Sequence, residues 1–341
     1  CDAPTKIILR MCNAKFWILR NPKIMLCLSF SLILSVRTME SGMKLPTFLV
    51  IGVEKSGTTS LYHYLQQHLQ VYMSPIKETN FLEKDWSEID PDTIKRSEDK
   101  RIDTFKKYCA LFADADAYEA VGEISPNYLF HHQTSAQRIL NYVPEAQLIA
   151  ILRHPVERAF SDYLMHRRDS INVGKVAPLL EQVKHQSNSS FTLRKGFYFE
   201  PIRHFINTFG RDRLKIYLYD QLCADPVALV QDMYRYIGVD ETFTPDVSYR
   251  AQVAQVPKIQ SINNVLKTNN PVRAIAASVL KPVLSSELRQ KIRTALININ
   301  SSSKDTVQLS LEERTQLLDL YSDDVKKLQD LIQQDLSAWL K

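Results

Sequence analysis

The run Phe48-Leu-Val-Ile-Gly-Val53 followed by Glu54-Lys-Ser-Gly-Thr-Thr-Ser60 limits this chain more than any other stretch. Its first half is continuously apolar and rich in β-branched residues, as a strand buried on both faces requires. Gly52 and Gly57 break that pattern with Lys55 between them, and Leu61, Tyr62, Tyr64, Leu65 and Leu69 continue at helical spacing. Strand, glycine turn and helix together aim unpaired backbone N–H groups at one point, where the positive end of the helix dipole favours an anion. Lys55, Ser56, Thr58, Thr59 and Ser60 add donors in the same place. The plain alternative is a glycine turn with a solvated lysine, since such a turn alone is weak evidence.

Gly52, Gly57 and Thr59 have the spacing of a triphosphate loop, G-x-x-x-x-G-K-[ST]. Thr58 stands in the lysine position, however, and the lysine lies inside the loop at position 55. A second stretch bears on the choice. The apolar strand Gln147–Leu152 ends on Arg153-His-Pro, and Val156, Phe160, Tyr163 and Leu164 then repeat at helical spacing. Ligands of open α/β sheets bind at the carboxyl ends of strands, where Arg153 stands. Ser161 follows about two helical turns later. A guanidinium and a hydroxyl converging there would hold a second phosphate; the alternative is that Arg153 pairs with Glu157 and Ser161 packs. A kinase of the triphosphate-loop type would instead place a metal-binding Asp at such a strand end. An arginine there leads us to expect no metal.

The rest of the chain supplies the setting. Strands are expected at Tyr118–Ile124 and Leu214–Tyr219, and helices at Arg101–Ala113, Thr134–Tyr142, Pro155–Arg168, from Gly196 to near Gly210, and Asp225–Ile237. Strands alternating with helices in this way indicate a parallel sheet with helical crossovers. Residues 84–100 read as a surface loop and 169–195 as a polar, mobile loop. Helices are expected at Asn270–Leu284, Ser285–Ile299 and Ser310–Leu340, the last two opening on Ser caps ahead of Glu287 and Glu313. The net charge of +5 suits an anionic ligand and does not indicate nucleic acid. The five cysteines have no C-x-x-C spacing, so neither zinc nor a disulfide framework is indicated, and Cys109 and Cys223 fit a reducing, cytoplasmic setting. Residues 1–42 run from basic residues to an apolar patch, Ile24–Val36, shorter than the ~20 residues of a membrane helix. We expect this extension to lie outside the fold, with Met43 as the natural start. The alternative is a single-pass Golgi anchor through residues 24–36. The sequons at Asn188 and Asn300 matter only if the chain is secreted.

Lys55-Ser-Gly-Thr-Thr-Ser60 after a strand, and Arg153 with Ser161 after another, resemble the 5′- and 3′-phosphate sites of sulfotransferases that use 3′-phosphoadenosine 5′-phosphosulfate (PAPS). Residues 46–341 are similar to the carbohydrate (heparan-sulfate-like) superfamily and its bacterial relatives, including the Leu336-Ser-Ala-Trp-Leu340 ending. The resemblance implies a three-layer, P-loop-type α/β fold over 43–341, with a central parallel sheet flanked by helices and a helical part from about residue 250. It implies that Ser56, Gly57, Thr58, Thr59 and Ser60 hold the 5′-phosphate, that Lys55 stabilises the departing oxygen, and that Lys195 lies near the nucleotide. In Ile76-Lys-Glu-Thr-Asn-Phe-Leu82 it makes Glu78 the general base, with Asn80 where the family has His. The alternative for Glu78 is a surface pair with Lys77 or Lys84. Gly122-Glu-Ile-Ser-Pro-Asn-Tyr128 puts Ile124 where the heparan enzymes have a lysine, which leaves the acceptor open. The expected activity is sulfuryl transfer to a carbohydrate hydroxyl or amine by in-line attack. Alternatives are a lipid, small-molecule or tyrosine acceptor (with His131, His132 or His154 as base), a P-loop kinase, or a nucleotide-binding protein without catalysis.

Overall fold

A computed structural model describes residues 44–86, 101–169, 176–249, 256–257, 301–302 and 308–341, and Pro46–Lys341 is one compact unit. The expectations for residues 1–42, 84–100 in the main, Asn270–Leu284 and Ser285–Ile299 lie outside the described residues.

Five parallel strands form the central sheet: β1 (Phe48–Gly52), β2 (Val71–Met73), β3 (Ala120–Ile124), β4 (Gln147–Leu152) and β5 (Leu214–Leu218), in the order β2-β3-β1-β4-β5. The connecting helices are α1 (Thr58–Leu65), α2 (Phe105–Ala110), α3 (His132–Tyr142), α4 (Pro155–Asp169), α5 (Leu179–Gln186), α6 (Phe191–Arg194), α7 (Phe199–Phe209), α8 (Tyr219–Ala224) and α9 (Pro226–Ile237). β6 (Val256–Pro257) and β7 (Ser301–Ser302) make a short antiparallel pair, and α10 (Leu311–Ile332) runs near the carboxyl end.

β1 is central because it has no polar face to give to water: Phe48, Leu49, Val50 and Ile51 are all fully buried. Strands covered on both sides read as continuous apolar runs, which is why periodicity of two is missing from this one. Phe48 and Val50 join Ile124, Ile149 and Ile151 in a core with Leu61, Tyr64 and Leu65 of α1 and Leu229, Val230 and Met233 of α9. Leu49, Ile51, Leu148 and Ala150 alternate to the opposite, equally buried face. The central parallel sheet flanked by helices is the α/β architecture expected. With β3 and β4 on either side of β1, the loop leaving β1 opens at a carboxyl edge bordered by both neighbours.

Several local expectations are corrected. Residues 169–195 contain two helices. α5 buries Leu179 and Gln182, and Lys184 pairs with Glu312 beyond it. α6 begins at Ser190, whose hydroxyl accepts from the Leu193 N–H. These segments are polar because only one edge of each is covered, so helical periodicity is faint in the sequence. The helix expected over Arg101–Ala113 starts only at a Thr104 cap. The one expected over Ser310–Leu340 ends at Ile332, where Gln333 turns left-handed (φ 56°), and a separate 3-10 turn spans Ser337–Leu340. Its Ser310–Glu313 capping box forms as read. β2 has three residues and was not distinguished from the turn after it.

Candidate active site

The loop after β1 is held open by backbone conformation. Lys55 and Gly57 both have left-handed φ, 70° and 83°. Ser56, fully buried, donates its hydroxyl to the Val53 carbonyl at 2.5 Å and draws the loop into a ring. Gly57 is the N-cap residue of α1 and offers no side chain to the first-turn amides, and that turn contains no acidic residue. The N-cap position therefore supplies no side-chain cap to α1, and no carboxylate within the first turn offsets the dipole there. This is what an anion needs. A Cβ on Gly57 would lie 2.7 Å from Leu222 Cδ2 and 3.1 Å from Tyr219 Cε2. Gly57→Ala is expected to weaken anion binding at this terminus by about tenfold, since the left-handed backbone alone costs an L residue about 1–2 kcal/mol. Isothermal titration checks this.

Arg153 is joined to that loop directly. Its Nη1 donates to the Lys55 carbonyl at 2.7 Å. The guanidinium lies over the Tyr219 ring at 4.7 Å, and Tyr198 donates its hydroxyl to the Arg153 carbonyl at 2.9 Å. Among the described residues Glu157, the alternative partner of Arg153, instead pairs with Arg314 of α10 at 2.9 Å. Lys55 reaches across to α4, where Met165 Sδ lies 3.3 Å from its Nζ. Thr58 and Ser60 are buried in the first turn of α1, and Ser161 is buried on α4. Among the described residues Ser161 makes no hydrogen bond to the loop.

Glu78 meets the same helix terminus through Lys77. Lys77 Nζ lies 3.4 Å from Thr59 Oγ1 and 3.4 Å from Glu78 Oε1. The segment carrying them is fixed at its start, because Tyr62 of α1 donates to the Ser74 carbonyl and the Ser74 N–H donates to Gly122 of β3, both at 2.8 Å. Burial raises the Glu78 pKa above the ordinary glutamate value; Lys77 and Lys195 pull it down and Glu54 pushes it up. Lys195 binds Glu54 of the loop at 2.5 Å, so a residue far along the chain reaches the site through an ion pair. It is delivered there by a close approach: a Cβ on Gly196 would lie 2.8 Å from the Tyr321 ring. Lys84, the other suggested partner of Glu78, instead lies over the Trp86 ring.

The histidines are placed otherwise. His154 Nδ1 accepts from the Val156 N–H at 3.3 Å, at the start of α4, and burial lowers its pKa. Its ring lies 6.0 Å from that of Trp339. His131 Nε2 is 3.4 Å from Glu83 Oε1, and the His132 and His204 rings are 5.2 Å apart. Sequence reasoning missed Lys77, Glu54, Tyr198 and Tyr219 as site neighbours. Glu54 sits within the loop motif and Tyr198 within Lys195-Gly-Phe-Tyr, so adjacency to those motifs was the available signal.

A family model described as the sulfotransferase family matches residues 46–245. Among curated proteins, the membrane-associated sulfotransferase kil1 of Dictyostelium discoideum is 32% identical over 119 residues, covering 35% of this chain and 22% of that protein. The human bifunctional heparan sulfate N-deacetylase/N-sulfotransferase 3 is 28% identical over 204 residues, covering 58% of this chain and 22% of that protein. The chain thus spans about a fifth of the length of these curated relatives. The crystal structure of a sulfotransferase from Alicyclobacillus acidocaldarius superposes with a TM-score of 0.62 at 25% identity, covering 87% of this chain and 100% of that one.

Proposed function

This chain belongs to the sulfotransferase family, and we propose on that premise that it transfers the sulfuryl group of PAPS to a hydroxyl or amine of a carbohydrate. The observation that carries the reading is the Thr59–Lys77–Glu78 contact, which puts a carboxylate beside the first turn of α1. The donor fits the residues present: the amides from Ser56 to Ser60 suit the 5′-phosphate, and Arg153 and Ser161 the 3′-phosphate, with Lys195 at the edge of the site. Bound PAPS supplies the sulfuryl group and departs as the 3′,5′-bisphosphate.

Glu78 takes the proton of the acceptor O–H or N–H as the new bond to sulfur forms, because a neutral hydroxyl is a poor nucleophile. Lys55 stabilises the electron pair left on the phosphate oxygen when the old S–O bond breaks. No residue forms a covalent intermediate, and we expect no metal in the step. For a carbohydrate acceptor, the sequence similarity to the heparan sulfate N-sulfotransferase is one support. Another is the rim near Lys195, where Phe130 and half-exposed Phe191 form an edge-to-face pair and Arg194 lies 5.2 Å from the Phe130 ring. Aromatic faces and a guanidinium suit an acidic sugar.

A second acceptor reading, a lipid or a small phenol, rests on the pocket beside Lys195 walled by Leu129, Phe130, Phe197 and Pro201. We place the enzyme in a reducing, cytoplasmic setting, where an exposed free thiol such as Cys223 is stable. Titration with adenosine 3′,5′-bisphosphate against ATP with magnesium tests the donor. We expect the bisphosphate to bind more tightly, and transfer to persist in excess EDTA; preference for ATP would overturn the reading.

A further inference from the structure

Glu123 puts a carboxyl inside the sheet's core. It lies in β3 opposite Leu49 of β1 and is fully buried. A carboxylate placed there has lost its water and needs donors in return. Among the described residues no cation acts on it: Thr79, from the loop after β2, hydrogen-bonds it, and the hydroxyls of Tyr128, from the turn after β3, and Tyr108, of α2, stand nearby. β1 presents only Leu49 beside it. Three hydroxyls thus surround one acid, and none of the roles assigned above accounts for them.

Thr79 is the residue after Glu78. Its hydroxyl donates to Glu123 Oε2 at 2.5 Å, and the Tyr128 hydroxyl lies 3.1 Å from Thr79 Oγ1. The Leu82 N–H donates to the Tyr128 hydroxyl at 3.2 Å, and the Asn80 N–H donates to Ser125 Oγ at 3.1 Å. The direction of this chain follows from its last acceptor. An ionised Glu123 can only accept, so Thr79 must give it its single proton. Thr79 then accepts from Tyr128, which in turn accepts from Leu82. All the bonds point one way, toward the carboxylate, and each polarises the next. A protonated Glu123 carries its own donor, and the hydroxyls can then reverse. Phe81, between the clamped residues, stacks on Tyr108 at 4.5 Å, and Asn80 is held left-handed at φ 50°.

We propose that Glu123 is a positioning residue for Glu78: as the terminal acceptor of the Tyr128–Thr79 hydroxyl chain, its carboxylate locks the segment 79–82 and so fixes where the Glu78 carboxylate stands. The proposal rests on Glu78 being the base. Ionisation of Glu123 turns the lock on. Burial pushes the Glu123 pKa up to about 7, against the pull of the Thr79 hydroxyl, so the lock engages near neutral pH. The effect on stability has the opposite sign. A carboxyl with a raised folded-state pKa stabilises the fold while protonated, and that contribution is lost as pH rises through about 7.

These opposite signs separate positioning from mere structure. With adenosine bisphosphate affinity and unfolding followed alongside turnover, Glu123→Gln is expected to change the acid limb of log kcat from more than one proton to the single proton of Glu78. It is also expected to lose no stability at pH 8. Thr79→Val should lower kcat between about ten- and a hundredfold by displacing the base, with bisphosphate affinity unchanged, and Thr79→Ser should restore it. A wild-type limb in Glu123→Gln, or wild-type kcat in Thr79→Val, would overturn the proposal while leaving Glu78 as base. Full activity in Glu78→Gln would overturn the base itself.

Discussion

Replacing Glu78 by glutamine is expected to lower kcat by about 10²–10⁴-fold, the usual contribution of a positioned general base, with affinity for adenosine 3′,5′-bisphosphate unchanged. Glutamine keeps the shape of the side chain and can still accept from Lys77 Nζ, so the Thr59–Lys77 contact survives. It cannot take a proton from the acceptor. Burial raises the Glu78 pKa, and the base works ionised, so wild-type kcat should fall as pH drops through that raised value. The variant should lack that contribution to the limb. Single-turnover transfer followed against pH, with calorimetry on the same samples, measures both quantities. An unchanged kcat would move the base elsewhere, and His131 and His132 would be the next residues to replace.

The fold was legible where the signal is local. β1, the loop and α1 are contiguous, and their glycines and apolar run state the geometry without help from the rest of the chain. Arg153 was legible for the same reason, at the end of a strand too apolar to be anything but buried. What stayed hidden depends on contacts between distant residues. Lys195 reaches Glu54 across 141 positions, and its own neighbourhood shows only a basic residue before a glycine. Lys77 looked like a surface partner of Glu78 because nothing in the sequence places Thr59 beside it. β2 is too short to show a period, and α5 and α6 are helical mainly because α10 and the Ser190 cap hold them. Glu123 appeared in a quoted motif, yet a strand residue gives no sign of whether its carboxyl faces water or the core.

Arg158→Ala is expected to reduce the unfolding free energy by about 3–5 kcal/mol, the cost of breaking a buried ion pair by removing one partner. Arg158 is fully buried on α4, and its Nη1 lies 3.8 Å from Asp162 Oδ2, one turn on and also buried. Removing the guanidinium leaves Asp162, among the described residues, with the half-exposed His166 ring at 3.6 Å as its remaining ion-pair partner. Arg158 also donates to the Thr192 carbonyl in α6, and Tyr321 of α10 donates to Leu193 beside it at 2.8 Å. The loss is therefore felt where α4, α6 and α10 meet. Lys195 and Gly196 follow α6 directly, so the bisphosphate should bind less tightly as well. Arg158→Met combined with Asp162→Leu should recover most of the stability, because an apolar pair of similar volume carries no desolvation cost. Urea unfolding of the two variants decides the matter. If the double substitution is no more stable than Arg158→Ala, the cost lies in the lost Thr192 contact and packing, and the ion pair is not what holds this corner together.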